Sequence, residues 1–283
     1  MKIALKKTSA LLLFASLSFS ILRFLQLFFC IDASSGFFKV GYQADGSEIS
    51  IVIFIFTLLL IIFGCFEKKV PKSYPKTTLS LAIGYLLLAG FLIADIVFFP
   101  TAIPFPLWEK ILLYFTGFLS IIFFIILGVS YFVKIPAIEN VPFDSLCLAP
   151  FLYWIIRTFI YFSFYTSIAV LSENVFFIVG FLSVMFFLLY LVFLVNSHEQ
   201  VRTQNGILPL LIFALLSSVN CSVAQMAFLV INRRFLLHEL NINHFTFFGI
   251  LIFLIILYFN LFDENNTKEK VKKHKKTFEI FKH

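Results

Sequence analysis

Apolar residues in this chain gather into eight long runs, parted by short polar segments that hold most of the Lys, Arg, Asp and Glu. The runs lie near residues 8–31, 49–66, 77–99, 111–133, 145–170, 175–195, 207–230 and 245–262. A bilayer core of roughly 30 Å takes about 20 helical residues at about 1.5 Å each, and the runs approach that length. Stretches such as Ile51 to Phe63 do not alternate between apolar and polar positions. A membrane-spanning β-barrel needs that alternation, because its strands face lipid and lumen in turn. The pattern therefore predicts an all-α, polytopic transmembrane helix bundle of about eight spans over residues 1–262, followed by a basic tail at 263–283.

Composition agrees. Of the 283 residues, 61% are hydrophobic and 13% charged, against about 45–50% and about 25% in an ordinary soluble domain. So few charges cannot supply the polar shell that a water-soluble core this apolar would need, and lipid must take its place. The 42 phenylalanines read as the codon preference of an AT-rich genome and not as an aromatic binding device. Cys30, Cys65, Cys147 and Cys221 fall in or beside four different runs, so neither a disulfide framework nor a metal knuckle is expected.

Positive residues are retained on the cytoplasmic side of a membrane. With the N-terminus inside, the inner segments carry sixteen of the 22 Lys and Arg, and the outer ones only Lys39, Lys110, Arg233 and Arg234. Both termini are thus expected in the cytoplasm. Lys2, Lys6 and Lys7 ahead of an apolar run also fit a cleaved signal peptide, with Ala33-Ser34-Ser35 as its small-residue site. The run continues past Arg23 to Ile31, longer than the usual apolar core of about 7–15 residues. A permanent first span is favoured, and a seven-span product is the alternative. The tail from Thr267 to His283 holds seven lysines with Phe278, Ile280 and Phe281, which suits contact with anionic lipid or a plain topological anchor.

A charge within a membrane is costly unless paired or wetted. The runs contain three: Arg23, Asp95 and Arg157. Ser16, Ser20, Arg23, Gln26 and Cys30 recur at three- and four-residue steps, along one face of the first span. Ser217, Cys221 and Gln225, with Asn220 beside them, form a second stripe on the seventh. Since the odd-numbered spans carry all three charges, the simplest packing puts odd spans inside and even spans outside. Counted at about 1.5 Å per residue from the inner end, Arg23 lies about 22 Å and Asp95 about 27 Å along its span, so an Arg23–Asp95 ion pair is expected. Arg157 falls about 18 Å along its own, near mid-membrane, with no intramembrane acid at its depth.

Arg157 is the leading ligand-binding candidate. Tyr153, Arg157, Tyr161 and Tyr165 are spaced by four, and Trp154 lies three before the arginine, so phenol rings flank the guanidinium and Trp154 would orient it by cation–π contact. A guanidinium stays charged when desolvated and donates in pairs to carboxylate or phosphate. Three roles stay open: a cation packed for structure, a binding group for an anionic ligand, or a partner for an acid on another protein.

The outer segment from Asp32 to Phe38 reads as a solvated turn, with a lid or cation-attracting rim as the alternative. The segment from His238 to His244 lacks the HExxH spacing of zinc peptidases, so no metal is expected. No GxxxxGK[ST] loop occurs, no lysine falls within a run, and all five histidines lie outside the runs. A nucleotide-driven motor, a retinal Schiff base, intramembrane haem and a buried Ser–His pair are thereby disfavoured. No cofactor and no nucleic-acid partner is expected, and an intramembrane enzyme is the least favoured class.

Ile21-Leu22-Arg23 with Phe37-Phe38 parallels Ile155-Ile156-Arg157 with Phe176-Phe177, at offsets of 134 and 139 residues. A 4+4 parallel repeat would place a site between the halves. The Lys-rich ends, the arginine followed by Ile31-Asp32-Ala33-Ser34-Ser35-Gly36-Phe37-Phe38, and the fifth run with Tyr153, Trp154 and Arg157 resemble uncharacterised polytopic membrane proteins of low-GC Gram-positive bacteria. That resemblance implies a bacterial plasma membrane and brings no functional residues with it. Two functions remain. One is a small permease whose odd spans line a cavity around Arg157 for an anionic solute or lipid headgroup. The other is a non-transporting sensor or assembly partner. The polar stripes favour the permease, although such side chains also join helices.

Overall fold

The computed structural model describes residues 7–32, 37–66, 78–102, 106–133, 146–165, 172–196, 207–232 and 242–262. Helices occupy each of the eight expected ranges: α1 (Lys7–Cys30), α2 (Gln43–Phe66), α3 (Leu79–Ala102), α4 (Leu107–Val133), α5 (Ala149–Tyr165), α6 (Ser172–Asn196), α7 (Ile207–Val219), α8 (Gln225–Ile231) and α9 (Ile242–Phe262). A π-helical segment, Asn220–Ala224, joins α7 to α8 with right-handed helical dihedrals on either side, so the three make one rod. Among the described residues the β-structure is an isolated bridge between Ile31 and Phe38. The basic tail, the Arg233–Arg234 pair and residues 238–241 lie outside the described residues.

Six of these rods are long and apolar enough to cross a membrane: α2, α3, α4, α6, the α7–π–α8 rod and α9. The chain is a multi-pass integral membrane protein. With 17 residues, α5 is shorter, reaching about 26 Å at about 1.5 Å per residue. In α1 the apolar stretch seen in full runs from Ser20 to Cys30. Outward faces carry Phe29, Ile51, Phe63, Phe115, Phe118 and Phe159, all exposed, which lipid tolerates and water would not.

Helix bonding outlasts hydrophobicity at the start of α2. It begins at Gln43, ahead of the apolar run at 49, with Asp45 in its first turn at the positive end of the helix dipole. The connection before it closes tightly, since Asp32 N–H donates to Phe37 C=O at 2.9 Å and Lys39 N–H to Cys30 C=O at 2.8 Å. The ends of the Asp32–Phe38 segment therefore form a turn, whose tip at 33–36 is outside the described residues.

Packing follows α3–α4–α5–α6–α7 in sequence, α2 and α1 lie against α7, and α9 sits between α3 and the α7–π–α8 rod. The rod and α9 are the most enclosed, two-thirds buried, whereas α2 is 22% buried. This corrects the expectation of odd spans inside and even spans outside. The eighth span is central, and the first and fifth each turn a face outward at Phe29 and Phe159. Lipid tails are as apolar as Leu, so an apolar helix has no preference for the outside of a bundle. What draws α9 inward is polar: Asn243, His244 and Thr246 on its first turns, all buried.

Close approach of α3, α4 and α5 depends on Gly117 of α4. A Cβ there would lie 2.9 Å from Ile96 Cγ1 and 3.0 Å from Tyr153 Cε2. Gly117→Val is expected to lower stability by about 1–3 kcal/mol through overpacking, read by thermal unfolding in detergent. Gly90→Ala, with nothing within 4 Å of the new methyl, is expected to be neutral or stabilising by up to about 1 kcal/mol.

Candidate functional site

An acid buried in an apolar bundle must find a cation and hydrogen-bond donors. Asp95 on α3 finds them on α5 and α9. Arg157 Nε lies 3.0 Å from Asp95 Oδ2 and Arg157 Nη2 donates to Asp95 Oδ1 at 3.2 Å. The Tyr153 hydroxyl donates to Oδ2, and Thr246 Oγ1 donates to Oδ1 at 2.8 Å. Arg157 Nη2 also donates to Asn243 Oδ1. Asp95 and Arg157 are both 0% exposed, and Asp95 is the one acid buried among the described residues.

Helical spacing produces this geometry. Tyr153 and Arg157 are one turn apart on α5, and Asn243 and Thr246 are three apart on α9, so each pair shares a face. Phe99, one turn after Asp95, lies under the guanidinium, with Arg157 Cζ 3.1 Å from its ring centroid, and Phe181 of α6 stands 5.2 Å away. Arg157 Nη1 has no hydrogen-bond partner. The aromatic faces around it supply part of what is missing. Four helices thus meet around one neutralised pair.

The expected Arg23–Asp95 pair does not form, because both oxygens of Asp95 are taken by Arg157, Tyr153 and Thr246. The depth count failed because it assumed that the inner ends of the spans are level. Asp95 lies sixteen residues into α3 and Arg157 eight into α5, or about 24 and about 12 Å at about 1.5 Å per residue. α5 therefore begins about 12 Å farther along the bundle than α3. Trp154 is buried but packs on Tyr153, Phe181 and Phe247, while Phe99 and Phe181 take the cation–π role expected of it. Tyr161 is buried against Phe177 and Phe181. The side chain of Tyr165 lies outside the described residues.

Arg23 belongs to a second cluster. Its Nη1 donates to Gln26 Oε1, its Cζ lies 3.9 Å from the Phe176 centroid, and Gln26 Nε2 donates to Gly46 C=O and to Ser50 Oγ at 2.6 Å. The π-segment faces this cluster. Gln225 N–H, which in an α-helix would bond the Cys221 carbonyl, bonds Ser222 C=O instead. His244 Nδ1 then lies 2.8 Å from the Cys221 carbonyl. A carbonyl only accepts, so Nδ1 carries the hydrogen. Cys221 Sγ donates to Phe176 C=O at 3.2 Å, tying the rod to α6. Between them runs a narrow crevice, walled by Arg23, Phe176, Asn220, Cys221, Gln225 and His244 and too tight to admit a water molecule.

Asn243 and His244 lie just ahead of the apolar run that starts at Phe245 and Thr246 lies within it, so none of the three stands out in the sequence as a site residue. His244, expected outside the spans, is buried on the first turn of α9. The three-residue step from Asn243 to Thr246, across the start of the apolar run, is the signal that could have extended the helix. Comparison with protein-family models, with curated proteins and with solved structures finds no match.

Tyr153→Phe and Thr246→Val each remove one donor from the Asp95 carboxylate. Each is expected to cost about 1–3 kcal/mol, measured by thermal unfolding in detergent. Unchanged melting in both variants would show that the carboxylate does not depend on them.

Proposed function

We propose that the chain is a small permease for an anionic solute or a lipid headgroup, with eight spans and both termini in the cytoplasm of a bacterial plasma membrane. One observation carries the reading. The buried polar groups Gln26, Arg23, His244, Asn243, Arg157 and Asp95 gather in two clusters, and the Asp95–Arg157 pair and the crevice shared by Arg23 and His244 both lie between the first four spans and the last four. Each such group has a desolvation cost, and inside membranes they mark pathways more often than plain supports. A 4+4 repeat would place its site at this boundary. The concentration of lysines in alternate segments supports the orientation, and the basic tail would rest on anionic lipid.

In this reading the structure is the closed conformation, and the Asp95–Arg157 clasp holds the halves together until they part. The complete enclosure of Arg157 favours a second reading, a non-transporting sensor or assembly partner whose buried charges only join helices. Reconstitution into liposomes separates the two. Flux of radiolabelled phosphate and carboxylates, and flip of fluorescent phospholipids, are measured against protein-free liposomes. The permease reading expects saturable movement of at least one class. No movement of any of them, by protein that elutes as a folded monodisperse species, would sink it.

A further inference from the structure

Helix α5 packs against both α4 and α6, yet it is short and starts about 12 Å farther along the bundle than α3, at about 1.5 Å per residue. Beside its late start a partly open crevice lies among four helices. Tyr85 of α3, Leu127 of α4, Cys147 and Pro150 at the foot of α5, and Leu188 and Val192 of α6 wall it. It holds about 20 Å³, above the about 10–15 Å³ that one water needs. A buried water also needs several polar partners. Apart from Tyr85 and Cys147 the described walls are Phe, Leu, Pro and Val side chains, so the space suits hydrocarbon. The clasp does not use it.

We infer that this crevice seats a segment of a lipid acyl chain from the surrounding leaflet. Three observations select that occupant. Leu148 and Leu152, neighbours of the α5 walls, are exposed, so the surface around the foot of α5 meets lipid. Tyr85 stands six residues from the start of α3, and Leu127 and Val192 stand six and four from the ends of α4 and α6. At about 1.5 Å per residue that is about 6–9 Å from the helix ends, within the half of a roughly 30 Å hydrocarbon core that one leaflet's tails fill. The third is width: an acyl chain is one methylene across, whereas a headgroup or a fused ring is too broad for so small a space. A void leaves its lining without contacts on one side, and a chain restores them. Pro150 precedes Tyr153 by three residues and Arg157 by seven, so the three share a face of α5. A seated chain therefore supports the foot of the helix that carries the clasp. The inference depends on the membrane bundle and holds whether or not the chain moves a solute.

The test is photo-cross-linking of the full chain in phosphatidylcholine liposomes that include a phosphatidylcholine with a diazirine part-way along one acyl chain. Labelled residues are mapped by peptide mass spectrometry. Cys147 and Tyr85, 3% and 1% exposed, are out of reach of lipid that merely surrounds the bundle, whereas Leu148 and Leu152 are within its reach. Label is expected on Cys147 and Tyr85 as well as on the exposed pair. Val192→Leu adds one methylene to the wall, and it is expected to remove most of the label from Cys147 and Tyr85 while leaving that on Leu148 and Leu152. Val192→Ala widens the space and is expected to increase labelling of the buried pair. Label confined to exposed residues in wild type, or label on Cys147 and Tyr85 that neither variant changes, would overturn the site. Cross-linking at the crevice by a protein that shows no flux in liposomes would keep the site and remove the permease.

Discussion

A carboxylate and a guanidinium enclosed in an apolar bundle must find one another, and the packing of α3, α5 and α9 depends on that requirement. At about 4 Å, opposite charges attract by about 4 kcal/mol at an effective dielectric of about 20. Desolvation of the two ions offsets much of this, so the pair adds little net stability. Its force lies in asymmetry, because removing one partner leaves a buried charge and costs about 3–5 kcal/mol. The clasp therefore selects one arrangement of helices. Any other that leaves Asp95 without Arg157, Tyr153 and Thr246 is excluded by the charge it would strand.

Around the clasp the backbone itself is adapted. The rod through Asn220–Ala224 gives up α-helical bonding for five residues, and the Cys221 carbonyl is met by His244 from the neighbouring helix. Asn243 and His244, adjacent on α9, thus face two clusters: the first reaches Arg157 and the second reaches the π-segment beside Arg23. A shift of α9 would disturb both at once.

Much of the fold was legible in the sequence because a bilayer demands long apolar runs, and each of the eight ranges is helical. Arg157, Asp95 and Arg23 stood out for the same reason, since a charge among such runs is rare. The pairing among them was not legible. It depends on the 12 Å stagger between α3 and α5, estimated at about 1.5 Å per residue, and hydrophobicity does not encode stagger. Nor was the central place of α9. Asn243 and His244 precede the apolar run, and the run itself reads alike whether it faces lipid or protein. Trp154 looked like the natural neighbour of Arg157 by spacing, yet Phe99 and Phe181 from two other helices fill that place.

The most direct measurement is a double-mutant cycle on Asp95→Leu and Arg157→Leu, scored by unfolding free energy, with Arg23→Leu as the comparison. If the clasp governs the packing, each single change costs about 3–5 kcal/mol and the double variant recovers most of that loss, since no charge is left stranded. Asp95→Leu and Arg23→Leu should then add without coupling. Additive losses for Asp95 and Arg157, or recovery when Asp95 is combined with Arg23 instead, would contradict the account.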